Sequence, residues 1–140
     1  MILGESVFIN FNYQYNGSMT AKKRIILAIT GASGSIYGLR TLEALKARQV
    51  EIHLIISPVG AQVIADETGS RAKEWADEAD YVYAPGDLSA PIASGSFTTD
   101  GMLVVPCSVK TLSGIANSYA ENLVQRAADV CLKEGRPLLL

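Results

Sequence analysis

One apolar run that ends in a turn of small residues constrains the fold more than any other stretch. The run, about Ile25 to Thr30, is short and rich in β-branched residues, which is typical of a strand buried on both faces of a parallel sheet. Glycine and serine residues follow it at 31–35, and a helical apolar pattern begins near Ile36. A strand, such a turn and a helix N-terminus together present free backbone N–H groups and the positive end of the helix dipole. We therefore predict a phosphate cradle at this turn.

Strand and helix patterns alternate along the rest of the chain. Strands are predicted at about 25–30, 51–56, 81–83, 102–105 and 138–140, and helices at about 36–48, 58–69, 73–79, 111–118 and 122–134. Residues 84–100 form a long loop of small residues, and long ordered loops tend to be functional. This alternation predicts an α/β fold with a doubly wound, Rossmann-like parallel sheet and helices on both faces.

Composition narrows the function classes. The chain has 140 residues, of which 49% are hydrophobic and 19% charged, as expected for one compact domain. A net charge of −2 gives no electrostatic reason to expect nucleic acid, and no apolar run reaches the length of a membrane span. Cys107 and Cys131 form neither a disulfide framework nor a metal-ligand spacing, so we expect no metal and a cytoplasmic protein. His53 lies in an apolar strand pattern, which favours a structural role over a catalytic one.

The glycine spacing selects among phosphate ligands. Glycines at 31, 34 and 38 give G-x-x-G-x-x-x-G, which is neither the dinucleotide fingerprint nor a P-loop. The second strand ends in Ser57, where a dinucleotide site would have an acidic residue for the ribose. A single phosphate, as in FMN, therefore fits better. A tight turn without a ligand is the alternative for this turn alone, but residues 106–114 offer further hydroxyl groups and an ammonium group at a second strand end.

These motifs together resemble those of the UbiX-type flavin prenyltransferases, which have also been described as aromatic-acid decarboxylases. The matching segments are residues 30–38 (TGASGSIYG), 93–97 (ASGSF), 106–115 (PCSVKTLSGI) and 122–138, within a resemblance that covers about 24–140. The resemblance implies an FMN-binding fold and a homo-oligomer with active sites between subunits. It also implies transfer of a dimethylallyl group from its monophosphate to reduced FMN, which gives a prenylated flavin for a separate decarboxylase.

The resemblance also implies roles for individual residues. The residues expected to contact FMN are Gly31, Ala32, Ser33, Ser57, Ser108, Val109, Lys110 and Thr111. Glu67 matches a glutamate near the prenyl phosphate, and Lys133 matches a lysine that holds this phosphate. The alternatives are a solvated carboxylate at a helix end for Glu67 and a helix-end charge for Lys133. Cys107 is expected to be a small buried residue and not a nucleophile, and Cys131 a core residue.

The sequence also predicts a division into two segments and leaves two alternative functions open. Residues 1–20 do not match the rest of the chain and are interpreted as an extension outside the core, with residues 21–140 as the FMN-binding domain. Relatives continue past the last strand, so we expect this domain to lack the family's C-terminal part. An FMN-dependent decarboxylase of a related family and a non-catalytic FMN-binding fragment are the alternative functions.

Overall fold

The computed structural model describes residues 22–140 and confirms the predicted fold class. Five parallel strands form one sheet with helices on both faces. The strands are β1 (Arg24–Ile29), β2 (Glu51–Ile56), β3 (Tyr81–Tyr83), β4 (Gly101–Val104) and β5 (Leu138–Leu139). The helices are α1 (Ser35–Ala47), α2 (Pro58–Thr68), α3 (Ala72–Ala76), α4 (Val109–Ala116) and α5 (Leu123–Lys133), with a short 3-10 helix at Pro91–Ala93.

The strand order in the sheet is β3-β2-β1-β4-β5. From β1 the chain builds outward through β2 to β3, and it then returns to the other side of β1 with β4 and β5. The carboxyl ends of β1 and β4 are therefore neighbours at the point where the strand order reverses. In open α/β sheets this is where ligands bind.

Alternate residues of β1 face two separate cores. Ile26 and Ala28 pack with buried residues of α4 and α5, whereas Leu27 and Ile29 pack on the opposite face with buried residues of α1, α2 and α3. All four side chains are 1% exposed or less. Because both faces of the central strand are covered, its sequence is continuously apolar, as the first strand pattern indicated.

Capping residues place the helix ends close to their predicted positions. Ser57 caps α2 by accepting a hydrogen bond from the Gly60 amide at 3.0 Å, and Pro58 takes the first helical position. Gly69, with φ of +69°, ends the same helix in the left-handed conformation that glycine adopts without strain. Helix α4 begins two residues before the predicted Thr111, since Ser108 is its cap and accepts a bond from the Thr111 amide.

His53 and Cys131 are buried, as the sequence indicated. His53 is 1% exposed, stacks on Tyr81 and hydrogen-bonds Tyr83 and Glu51. Trp75 and Cys131 lie in the two cores. The proposed extension at residues 1–20 lies outside the described residues. No helix within residues 22–140 is long and apolar enough to cross a membrane.

Candidate functional site

Thr30 joins the two turns that follow β1 and β4. Its hydroxyl donates to the Pro106 carbonyl at 2.7 Å and accepts from the Ser108 amide at 2.7 Å, while its amide also donates to Pro106. Thr30 is only 3% exposed, so these bonds are shielded from water. The turn at 31–34 and the start of α4 therefore lie side by side at the reversal point of the sheet.

Three backbone N–H groups at this junction lack a protein acceptor within residues 22–140. In the described chain, none of the amides of Gly31, Ala32 and Ser33 donates to a protein acceptor. A Cβ on Gly31 would lie 2.4 Å from Val59 Cγ1, so the start of α2 packs directly against this turn. Such a cluster of unpaired amides suits the oxygen atoms of a phosphate.

The serine hydroxyls at the neighbouring strand ends already have partners. Ser57 caps α2, and Ser108 Oγ donates to Thr111 Oγ1 at 2.9 Å while capping α4. These bonds restrict the Ser57 and Ser108 side chains, and α2 and α4 both begin beside the turn at 31–34. The first amides of α4 belong to Val109 and Lys110.

Glu67 occupies part of the predicted cradle with its own carboxylate. The Gly34 amide donates to Oε1 at 3.0 Å and to Oε2 at 3.1 Å. The Ser35 amide and hydroxyl donate to Oε2 at 2.8 and 2.7 Å. These bonds, the Ser35 hydroxyl foremost, hold the pKa of the Glu67 carboxyl below its ordinary value of 4.5. The Gly34 and Ser35 amides are therefore already paired, because α2 carries its own anion to the N-terminus of α1.

The side chains near the start of α4 include an ammonium group and a thiol. Lys110 is exposed and its Nζ lies 3.3 Å from a Glu121 carboxylate oxygen. Burial raises the pKa of the Cys107 thiol, which therefore stays protonated at neutral pH and is a poor nucleophile. Within residues 22–140, no group of three or more His, Cys, Asp or Glu side chains is arranged to hold a metal ion.

Lys133 lies at the opposite end of the strands, near the starts of β4 and β5. It ends α5, where the Arg136 amide donates to Cys131 and the Pro137 carbonyl accepts from Met102 near the start of β4. Glu67, by contrast, sits at the turn that follows the carboxyl end of β1. The four residues of β4 alone span about 13 Å. One copy of the chain therefore keeps Lys133 and Glu67 apart, and Lys133 Nζ lies 3.3 Å from Glu134 Oε1.

Exposed apolar side chains surround the strand-end turns. Val109 is 82% exposed, Tyr37 68% and Val59 57%, although each stands beside the cluster of unpaired amides. A groove of about 670 Å³ along α1 reaches this rim only at Tyr37 and Val105. Apolar surface next to a polar cradle suits a ligand with a flat ring and a phosphate, or a second protein surface.

Two residues of the site were missed at the sequence level. Thr30 was read as the last residue of a strand, and a polar residue at the end of an apolar run was the available signal. Ser35 was read only as part of a serine-rich turn. Its contact with Glu67 spans 32 positions along the chain, and no local pattern in the sequence predicts a contact at that separation.

The chain is similar to flavin-binding proteins over most of its length. The profile of the flavoprotein family matches residues 14–140. The flavin prenyltransferase UbiX of Salmonella typhimurium is 50% identical over 119 residues, which are 84% of this chain and 63% of that protein. The present chain thus spans about three fifths of the length of this curated relative.

Solved structures of FMN-dependent proteins are also similar to this chain. A crystal structure of AnUbiX (PadA1) in complex with FMN and dimethylallyl pyrophosphate has a TM-score of 0.85 and 44% identity, covering 86% of this chain and 64% of that one. A dodecameric FMN-dependent UbiX-like decarboxylase from Escherichia coli O157:H7 has a TM-score of 0.82 and 49% identity, covering 84% and 65%.

Proposed function

The chain belongs to the flavoprotein family, and on that premise we propose that it is the FMN-binding part of a flavin prenyltransferase. The reaction is transfer of a dimethylallyl group from dimethylallyl monophosphate to reduced FMN. Its product, a prenylated flavin, serves a separate decarboxylase. The 50% identity to a named flavin prenyltransferase supports this proposal.

The observation that carries the proposal is the junction made by Thr30. It brings the unpaired amides of residues 31–33 beside the capped start of α4 at the reversal point of the sheet. The FMN phosphate would be held by backbone amides of Gly31, Ala32 and Ser33. The remaining contacts would come from the other two strand ends, at Ser57, Ser108, Val109, Lys110 and Thr111. Reduced FMN, when bound, supplies the electron-rich ring that accepts the dimethylallyl group.

Glu67 and Lys133 are proposed to act at the prenyl phosphate. Lys133 carries the ammonium charge that a departing phosphate needs, and Glu67 supplies a carboxylate at the mouth of the cradle. Because one copy places these residues at opposite edges of its sheet, we propose that the active site forms between subunits of a homo-oligomer. The exposed apolar rim at Tyr37, Val59 and Val109 supports an assembly that covers these turns.

Two further assignments belong to the same proposal. Residues 21–140 are proposed to be the FMN-binding domain. A cytoplasmic location is proposed because both cysteines carry free thiols, which is usual in a reducing compartment.

Incubation with reduced FMN and dimethylallyl monophosphate under anaerobic conditions tests the function. We expect a flavin heavier by one dimethylallyl group in the mass spectrum, together with released phosphate. Lys133→Ala should lower the rate strongly, whereas Lys73→Ala, a lysine of α3, is the control that should not. Carbon dioxide released from an aromatic or peptide acid, without a heavier flavin, would instead indicate a decarboxylase. Bound FMN with neither product would indicate a flavin-binding module.

A further inference from the structure

Ser35 is completely buried, yet its side chain reaches a carboxylate from another helix. It is the first residue of α1 and is 0% exposed. Its hydroxyl and its amide both donate to Glu67 Oε2, at 2.7 and 2.8 Å. The Gly34 amide donates to both oxygens of the same carboxylate. Both Glu67 oxygens are therefore held by groups of one short segment, and neither oxygen can rotate away without breaking a bond.

We propose that Ser35 is a positioning residue, which orients the Glu67 carboxylate at the mouth of the flavin cradle. This inference rests on the proposed function, in which Glu67 acts at the prenyl phosphate. Ser35 itself lies behind Glu67 and would touch neither flavin nor prenyl substrate.

The hydrogen bonds account for the lowered pKa of Glu67. Its pKa is lowered chiefly by the Ser35 hydroxyl, then by the Gly34 and Ser35 amides, with a smaller contribution from the Ser33 hydroxyl. The positive end of the α1 dipole acts in the same direction. Ser33 is also an expected FMN contact, so the carboxylate and the phosphate would share this neighbour.

Charged side chains near Glu67 do not account for its lowered pKa. The described first turn of α1 carries no acidic residue. Further along α1, Arg40 is paired with Glu43, and on α3, which packs against the end of α2, Arg71 is paired with Glu74. Asp66, next to Glu67 on α2, carries a like charge, which cannot lower the pKa of Glu67. The lowered pKa therefore depends on the Ser35 hydroxyl and the two amides.

The lowered pKa of Glu67 limits its role in proton transfer. A carboxylate that is ionised well below neutral pH has no proton to donate at neutral pH. Glu67 is thus assigned as an anchored negative charge, and the proton for a leaving phosphate has another source. Loss of the Ser35 hydroxyl should raise the pKa of Glu67 and leave its carboxylate held by the two amides alone.

Titration of Glu67 tests the inference without any activity measurement. Carbon-13 NMR of the side-chain carboxyl groups follows ionisation, and Glu67→Gln identifies the Glu67 signal by its loss. In the unchanged protein we expect Glu67 to titrate below the ordinary glutamate value. In Ser35→Ala the midpoint should move upward, and in Ser35→Thr, which keeps the hydroxyl, it should stay nearer to the original value.

Ser89→Ala is a matched control, because the Ser89 hydroxyl also donates to a carboxylate, that of Asp87, at 2.6 Å. It should leave the Glu67 titration unchanged. In the prenyl-transfer assay, the acidic limb of the rate profile should move upward in Ser35→Ala, whereas in Ser35→Thr it should stay nearer to its original position.

Two results would overturn the inference: an unchanged Glu67 titration in folded Ser35→Ala, or a Glu67 midpoint at or above the ordinary value in the unchanged protein. The second result needs no variant and applies even if Ser35→Ala does not fold. If Glu67 titrates as expected but no prenylated flavin forms at any pH, the role of Ser35 toward Glu67 holds and the proposed function fails.

Discussion

At the scale of single residues, Glu67 combines a structural and a chemical role. Its carboxylate caps the N-terminus of α1, because Gly34, the residue at the N-cap position, has no side chain that could do so. The same carboxylate faces the turn where the FMN phosphate is proposed to bind. Stability and the proposed catalysis therefore involve the same ionised group.

Replacing Glu67 with glutamine should make thermal stability depend on pH in a defined way. The folded-state pKa of Glu67 lies below its ordinary value of 4.5, so the ionised carboxylate stabilises the fold above about pH 4.5. This contribution is lost as pH falls through the lowered pKa. Glu67→Gln should therefore lower the Tm at pH 7, and the difference should shrink toward pH 3, as measured by circular dichroism.

Glu43→Gln is the control for that experiment. Glu43 is an exposed partner of Arg40 within α1, and such pairs contribute little to stability. We expect a much smaller change in Tm at pH 7. If Glu67→Gln and the unchanged protein differed equally at pH 7 and pH 3, the carboxylate would not be the stabilising group.

A second residue-scale prediction concerns Ser33. Ser33→Asp places a carboxylate between Glu67 and the proposed phosphate position, and like charges repel strongly where water is partly excluded. FMN affinity should fall at least about tenfold, equivalent to about 1.4 kcal/mol. Flavin fluorescence quenching measures this, with Ser70→Asp, between α2 and α3, as the control. Unchanged affinity would remove the FMN phosphate from this turn.

At the scale of elements, two glycines allow helices to approach the strand ends. A Cβ on Gly60, in α2, would lie 2.7 Å from the Ile29 carbonyl oxygen, and one on Gly38, in α1, would lie 2.7 Å from the Val105 carbonyl oxygen. Both contacts are with backbone, which cannot rotate away. The closeness of α1 and α2 to the cradle therefore depends on the absence of a side chain at these positions.

Gly60→Ala should destabilise the protein although alanine is the better helix former by about 1 kcal/mol. The added methyl group must displace α2 from the end of β1, and overpacking of this kind costs about 1–3 kcal/mol. Urea denaturation measures the loss in the free energy of unfolding, and flavin titration should show weaker binding. Gly86→Ala, where nothing lies within 4 Å of the added atom, should be nearly neutral. Equal stability of the two variants would contradict the close approach.

At the scale of the whole molecule, the sheet separates the two residues proposed to act at the prenyl phosphate. Helix α2 carries Glu67 to the α1 N-terminus, whereas α5 carries Lys133 to the edge where β4 and β5 begin. A site that uses both therefore needs residues from two copies. This requirement can be tested without a structure of the assembly.

Mixed oligomers of two impaired variants should regain activity. Glu67→Gln and Lys133→Ala are each expected to be nearly inactive in prenyl transfer. After joint refolding, some subunit contacts pair an intact Glu67 with an intact Lys133, so part of the rate should return. Each variant refolded alone is the control. Absence of any recovery in hybrids identified by native mass spectrometry would place the two residues in separate sites.

Local patterns in the sequence were sufficient for much of this fold. β2 was predicted with its observed bounds, and β1 and α1 shift by a single residue, because buried parallel strands are continuously apolar and the turns between them carry glycine and capping serine. The start of α4 was predicted two residues late, since Ser108 was read as a ligand contact and not as a helix cap. Helix α3 was predicted at 73–79 and ends at Ala76.

The sequence by itself therefore determined the order of the elements and the position of the glycine- and serine-rich turns, because both follow from interactions between residues near in the chain. Only the tertiary structure decided that Thr30 would bond to Pro106, that Glu67 would bind the α1 N-terminus, and that Lys133 would lie at the far edge. These contacts join residues far apart in the chain. They depend on how helices pack across the sheet, which no local pattern encodes.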